Sequence, residues 1–198
     1  MNDLIRRVDA ALGRPMAASS DYDLNPEITL PSDRVLRPAG VLVGIFENAG
    51  TPVVYLTKRA SHLKHHPGQI AFPGGKVDPS DTDEIAAAIR EANEEIALPS
   101  EHLRIMGTLS PHETVTGFNV VPVVAEITRP FTPKTDPTEV EEAFCVPLSH
   151  VLDPQNYLIE SRIWRGSRRK FFTVPYGPYY IWGATARMLY GLATRVSG

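Results

Sequence analysis

The sequence predicts an α/β (α+β) fold in which a mixed β-sheet packs between helices. Three observations lead there. Two apolar runs, 39–46 (AGVLVGIF) and 52–57 (PVVYLT), flank Asn48-Ala49-Gly50 and read as a hairpin. Stretches 2–13, 85–96 and 181–196 carry apolar residues at helical spacing. Strand and helix signals alternate irregularly, unlike the βαβ repeat of a doubly wound parallel sheet.

Bulk properties narrow the function classes. The 198 residues suffice for one domain with a sizeable core. The net charge of −3 gives no global pull toward nucleic acid or an anionic membrane, so any anion site must be local. Cys145 is the sole cysteine, which excludes an intramolecular disulfide and points to a reducing compartment. No apolar run reaches transmembrane length, and residues 1–7 lack a signal-peptide core, so the expected location is the cytoplasm.

Taken in order, Leu4, Ile5, Val8, Ala11 and Leu12 form the stripe of a docking helix. Residues 13–38, with Pro15, Pro26, Pro31 and Pro38, read as an extended surface connection. Residues 1–38 are thus an N-terminal helix and connection packing on a domain at 39–198. Within that domain, 58–67 is a basic, histidine-containing loop, and 85–96 is a helix with Ile85, Ile89, Ala92 and Ile96 as its core face. Residues 78–81 turn the chain into that helix, with Ser80, Asp81 or Thr82 as N-cap. Strands follow at 103–109, 120–127 and 142–146, then a helical turn at 147–152. A hairpin at 157–164 and 170–174 turns at Gly166-Ser167, and a helix closes the chain at 181–196.

The chemistry concentrates in residues 68–98. At about 100° per residue, Glu84, Glu91 and Glu95 fall within roughly 60° of one another, with Glu94 about 60° from Glu91. Crowded carboxylates are unfavourable unless a cation sits among them. Hard divalent ions take such oxygen ligands together with substrate phosphates, and two or three ions fit a cluster of this size. Arg90 stands four residues before Glu94, at pairing distance on a helix. Phe72-Pro73-Gly74-Gly75 upstream permits close backbone approach. Lys58, Arg59, Lys64, His65 and His66 make a local basic loop in an acidic protein. The spacing of His62, His65 and His66 is not diagnostic of a transition-metal site. Residues 78–84 lack the central glycine and final glutamate of a calcium loop. Tyr176, Tyr179, Tyr180 and Trp182 either line a cleft or anchor the last helix.

This stretch resembles the Nudix box, Gly, five residues, Glu, seven residues, Arg-Glu-aliphatic-x-Glu-Glu-x-Gly-aliphatic. Gly75, Arg90, Glu91, Ala92, Glu94, Glu95 and Leu98 match it. Here the spacing from Gly75 to Arg90 is one residue longer than usual, Asp81 takes the first acidic position with Glu84 as rival claimant, and Ala97 replaces the last glycine. Upstream, Leu56-Thr57-Lys58-Arg59-Ala60, Lys64, Gly68 and Phe72-Pro73-Gly74-Gly75 resemble the signature of coenzyme A pyrophosphatases within that superfamily, with Tyr55 for its first Leu and Lys64 for its second Arg. A weaker likeness extends to 110–113 and 181–186.

The resemblance implies a Nudix-like α/β/α sandwich and a Mg²⁺- or Mn²⁺-dependent hydrolase. The metal would sit on Glu91, Glu95 and Glu94, with a Gly74 or Gly75 carbonyl completing the shell and Arg90 orienting the glutamates. Lys58, Arg59, Lys64, Gly74 and Gly75 would bind substrate. Coenzyme A would yield 4′-phosphopantetheine and adenosine 3′,5′-bisphosphate. Glu94 is a general-base candidate inside the box, Glu139, Glu141 and Glu142 outside it, and His112 and Glu113 more weakly. A homodimer is compatible with the resemblance. Two other readings stay open: a Nudix hydrolase of ADP-ribose or a dinucleotide, and a non-catalytic nucleotide sensor, which retention of Arg90, Glu91, Glu94 and Glu95 opposes.

Overall fold

The computed structural model describes residues 2–31, 33–64, 66–164 and 166–198, with the side chain of Trp164 left aside. His65, expected in the basic loop, lies outside the described residues. Strands run at Ser19–Ser20 (β1), Arg37–Asn48 (β2), Thr51–Arg59 (β3), Ile70–Ala71 (β4), Gly74–Lys76 (β5), Leu103–Thr108 (β6), His112–Glu113 (β7), Phe118–Ile127 (β8), Val140–Pro147 (β9), Leu158–Trp164 (β10) and Ser167–Thr173 (β11). Helices are Asp3–Leu12 (α1), Glu84–Ile96 (α2), Leu148–Val151 (α3) and Gly183–Ser197 (α4).

Among the described residues, β1–β9 join one mixed sheet, and β10–β11 form a separate antiparallel ribbon. Strand β2 lies at its centre. It pairs parallel with β8 and antiparallel with β3 and β5. Its near-continuous apolar sequence follows from burial on both faces. Val43 and Ile45 point into a core shared with α1, α3 and α4, while Leu42 points into a second core under α2. The sheet therefore lies between helices, as expected.

The 13–38 connection contributes β1, which pairs parallel with β7 and carries the chain back along the sheet edge. Two residues are too few to register as a strand in sequence. Helix α2 buries Ala92 and Ile96 as expected but departs from expectation at the other two core positions. Ile85 and Ile89 are only partly buried, and the inward face is Ala87, Ala88, Ala92, Glu95 and Ile96. The cause is close packing of small residues. A Cβ on Gly40 of β2 would collide with the Glu84 carbonyl oxygen, so helix and sheet meet backbone to backbone. That contact turns the alanine row inward and carries the carboxylate row into the seam with β5. The helix is also capped one residue later than expected, by Asp83, whose side chain accepts from Ala86 N–H at 2.8 Å. Asp81 is engaged elsewhere.

Candidate active site

The site grows out of that seam. Glu95 is 3% exposed, and its Oε2 accepts the Gly74 N–H at 3.2 Å. Glu91 lies one turn earlier against Gly75, where a Cβ would overlap its carboxylate. Glu139, from the loop before β9, closes the group. One oxygen from each of Glu91, Glu95 and Glu139 falls within 4.8 Å of the others. The loop is held in place because Asp136 N–H bonds the Glu95 carbonyl at 3.1 Å and Glu139 N–H bonds the Asp136 carbonyl at 3.0 Å.

Arg90 organises the helix side of this cluster. Its Nε and Nη2 donate to Asp81 at 3.0 and 2.9 Å, its Nη1 to Glu91 at 3.1 Å and Glu94 at 2.8 Å, and its Nη2 also to the Lys76 carbonyl at 3.2 Å. A guanidinium so fully occupied orients carboxylates and has little left for a ligand. Asp81, its partner, is held below the usual carboxylate value by that pairing and by the Asp78 N–H. Of the two rival acidic positions, Asp81 thus holds Arg90, while Glu84 lies at the start of α2 over Gly40.

Burial pushes the Glu95 carboxyl up to about 8; Gly74 N–H opposes the shift, Glu91 adds to it, and Arg59 and Glu139 act in the same two senses. Burial likewise raises Glu91. Arg59, 4.0 Å from Glu95, is a weak counter-charge. Three convergent carboxylates, one of them nearly inaccessible, form an oxygen set that suits a hard divalent cation.

The seam reaches a cleft of ≈ 630 Å³ through Gly74 and Arg59, which line it with the 66–72 and 114–116 segments, β11 and the start of α4. That volume suits a nucleotide-sized ligand. Among the expected site residues, the structure brings Glu91, Glu95, Arg59, Gly74 and Gly75 together. Glu94 is 57% exposed and turned to Arg90. Lys58 bonds Glu141 at 2.6 Å, and Lys64 is exposed away from the cleft lining. Glu141 is further engaged by Ser61, and Glu142 by the Tyr179 hydroxyl at 2.5 Å. Glu113 pairs with Arg34. His112 is fully buried, between Ser19 Oγ at 2.9 Å and Asp21 at 3.2 Å. Glu139, read from sequence only as a general-base candidate, is the carboxylate that completes the cluster. Of the C-terminal aromatics, Trp182 lines the cleft, whereas Tyr179 stacks on Phe144.

The model of the NUDIX domain matches residues 36–164, more than half of the chain. The chain belongs to the Nudix family. A Nudix hydrolase named NudL, described as uncharacterized, from Enterobacter sp. (strain 638) is 42% identical over 160 residues, covering 81% of this chain and 83% of that protein. Its counterpart from Salmonella heidelberg (strain SL476) is 39% identical over 173 residues, covering 87% and 89%. A MutT/nudix family protein from Enterococcus faecalis shares the fold, with a TM-score of 0.52 at 16% identity over 87% of this chain and 66% of that one. As a Nudix hydrolase the protein acts on nucleoside diphosphate derivatives, in a family that generally uses divalent metal ions. The box departure at Ala97 is structural. Ala97 sits in the left-handed region at φ 55°, a C-cap conformation that favours glycine.

Proposed function

We propose that this Nudix hydrolase is a cytoplasmic, Mg²⁺- or Mn²⁺-dependent coenzyme A pyrophosphatase that forms 4′-phosphopantetheine and adenosine 3′,5′-bisphosphate. The reading rests chiefly on one observation: the Glu91–Glu95–Glu139 cluster abuts a nucleotide-sized cleft at Gly74 and Arg59. The upstream signature at 56–75 supplies the substrate.

Glu91, Glu95 and one oxygen of Glu139 would hold the cation, which leaves the second Glu139 oxygen for proton transfer. A divalent ion bound there neutralises pyrophosphate oxygens and lowers the pKa of the attacking water. Gly74 and Gly75 let the seam approach the phosphates closely. Arg59, at the junction of seam and cleft, meets the pyrophosphate with a fixed positive charge. Glu139 is the exposed member of the cluster, so it takes the water's proton and can return it to solvent. Water oxygen then bonds to one phosphorus, the bridging P–O bond breaks, and two phosphate monoesters leave.

The test is turnover of coenzyme A, ADP-ribose and a reduced dinucleotide with Mg²⁺ or Mn²⁺, products identified by mass spectrometry. Coenzyme A should react fastest. Faster hydrolysis of ADP-ribose would contradict the substrate assignment, and binding without turnover would favour the sensor.

A further inference from the structure

Of the basic loop read from sequence, only Arg59 and His66 among the described residues reach the cleft. Lys58 is paired with Glu141 and Lys64 lies outside the lining. The cations on the cleft wall come mainly from the β10–β11 ribbon. Arg162 and Arg169 stand directly opposite each other in its register, and both line the cleft. Two arginines in register on one wall give the cleft a local positive face in a protein of net charge −3.

Three further features act on the same wall. Arg162 lies over the Trp182 ring at 4.0 Å, with Phe171 edge-on to that indole at 5.2 Å. A guanidinium set over an aromatic ring can still offer N–H groups to phosphate oxygens. Helix α4 starts at the cleft with Gly183 and Ala184 in the lining, and its N-cap, Trp182, provides no side-chain cap. The ribbon is fixed by Asn25, 2% exposed, which accepts from Lys170 N–H at 2.8 Å and donates to its carbonyl at 3.0 Å. Asp21 also lines the cleft, bonded by Val115 N–H and His112, and Glu160 accepts from the Tyr180 hydroxyl.

We propose that Arg162, Arg169 and the start of α4 form a second anion site for a phosphate monoester on a nucleoside, with the base stacked on the Arg162–Trp182 pair. Resting on the coenzyme A reading, this assigns the site to the 3′-phosphate and makes the ribbon the element that separates coenzyme A from its 3′-dephospho form.

The test compares kcat/KM for coenzyme A and 3′-dephospho-coenzyme A. Wild type should prefer coenzyme A by about tenfold or more, the worth of one charge-assisted phosphate contact. Arg162→Gln and Arg169→Gln should each collapse that ratio toward one. A loss of folded protein cancels in the ratio. A wild-type ratio near one, or a ratio retained in both variants, would overturn the site. Calorimetry of metal-loaded protein with adenosine 3′,5′-bisphosphate and adenosine 5′-monophosphate tests the site without turnover. Tighter binding of the bisphosphate, lost in Arg162→Gln, supports it even if coenzyme A is not hydrolysed, and that combination would count against the substrate reading alone. Equal affinity overturns the site.

Discussion

The carboxylate seam beneath α2 and the arginine wall of the β10–β11 ribbon border the same cleft, and each crowds like charges. They do so in different ways. In the seam Glu95 is buried and Glu91 partly so, and their surroundings are closely constrained. Gly40 and Gly75 leave no room for a Cβ, Arg90 spends its donors on three carboxylates and a carbonyl, and Glu95 accepts a backbone N–H. On the ribbon the charges sit at the surface of a two-stranded sheet, held by Asn25 and the start of α4. Burying like charges demands dedicated neighbours at fixed spacings, whereas displaying them demands only a register. The seam should therefore be intolerant of small changes, and the ribbon should respond in selectivity.

The largest effect is expected at Glu95. Glu95→Gln keeps the shape and removes the buried charge, and turnover with Mg²⁺ should fall by more than about 100-fold, beyond the range for residues that merely support a ligand. Normal turnover would remove Glu95 from the metal set. Gly75→Ala comes next. The new methyl group meets the side-chain end of Glu91 and no backbone, so the fold should survive while activity drops by about tenfold or more, separable by comparing melting temperature with kcat.

A third expectation concerns pH. The Glu95 carboxyl ionises near 4.5 in its ordinary state and near 8 in the fold. Between those values the folded state keeps a proton that the unfolded chain has lost, so metal-free stability should fall as pH rises through that window. A cation that binds the ionised form offsets the cost. The rise in Tm on adding Mg²⁺ should accordingly be larger at pH 8 than at pH 5, measured by thermal melts at both. An equal rise would show that the buried carboxyl is not part of the binding equilibrium. The smallest effect is at Ala97. Ala97→Gly relieves a left-handed alanine at the end of α2 and should add about 0.5–1 kcal/mol in chemical denaturation, with activity unchanged.

The same contrast explains what the sequence disclosed. The sheet between helices was legible because β2, β3 and β8 are apolar runs with clear turns. Strands β1, β4 and β7 span two residues each and leave no periodic trace. In the seam, Glu91, Glu95, Arg90 and the two glycines lie within 22 positions of one another and could be recognised as a motif. Helical projection assigned the core face to Ile85, Ile89, Ala92 and Ile96; Ala92 and Ile96 are buried, but Ile85 and Ile89 only partly so, because hydrophobicity alone does not register that alanines opposite Gly40 pack closer than isoleucines. Glu139 comes from a loop 44 residues beyond Glu95, where no spacing links the two. The arginine wall depends on register, and Arg162 and Arg169 are separated in sequence by a turn that carries no charge rule.

The seam also offers a direct choice between the carboxylate set that the sequence suggests, Glu91, Glu94 and Glu95, and the one that the fold assembles, Glu91, Glu95 and Glu139. Titrating Mn²⁺ into the wild type, Glu139→Gln and Glu94→Gln, followed by electron paramagnetic resonance of the free ion, distinguishes them. Glu139→Gln should weaken Mn²⁺ binding by about tenfold or more, with Glu94→Gln having the smaller effect. A larger loss in Glu94→Gln than in Glu139→Gln would contradict the assembled site.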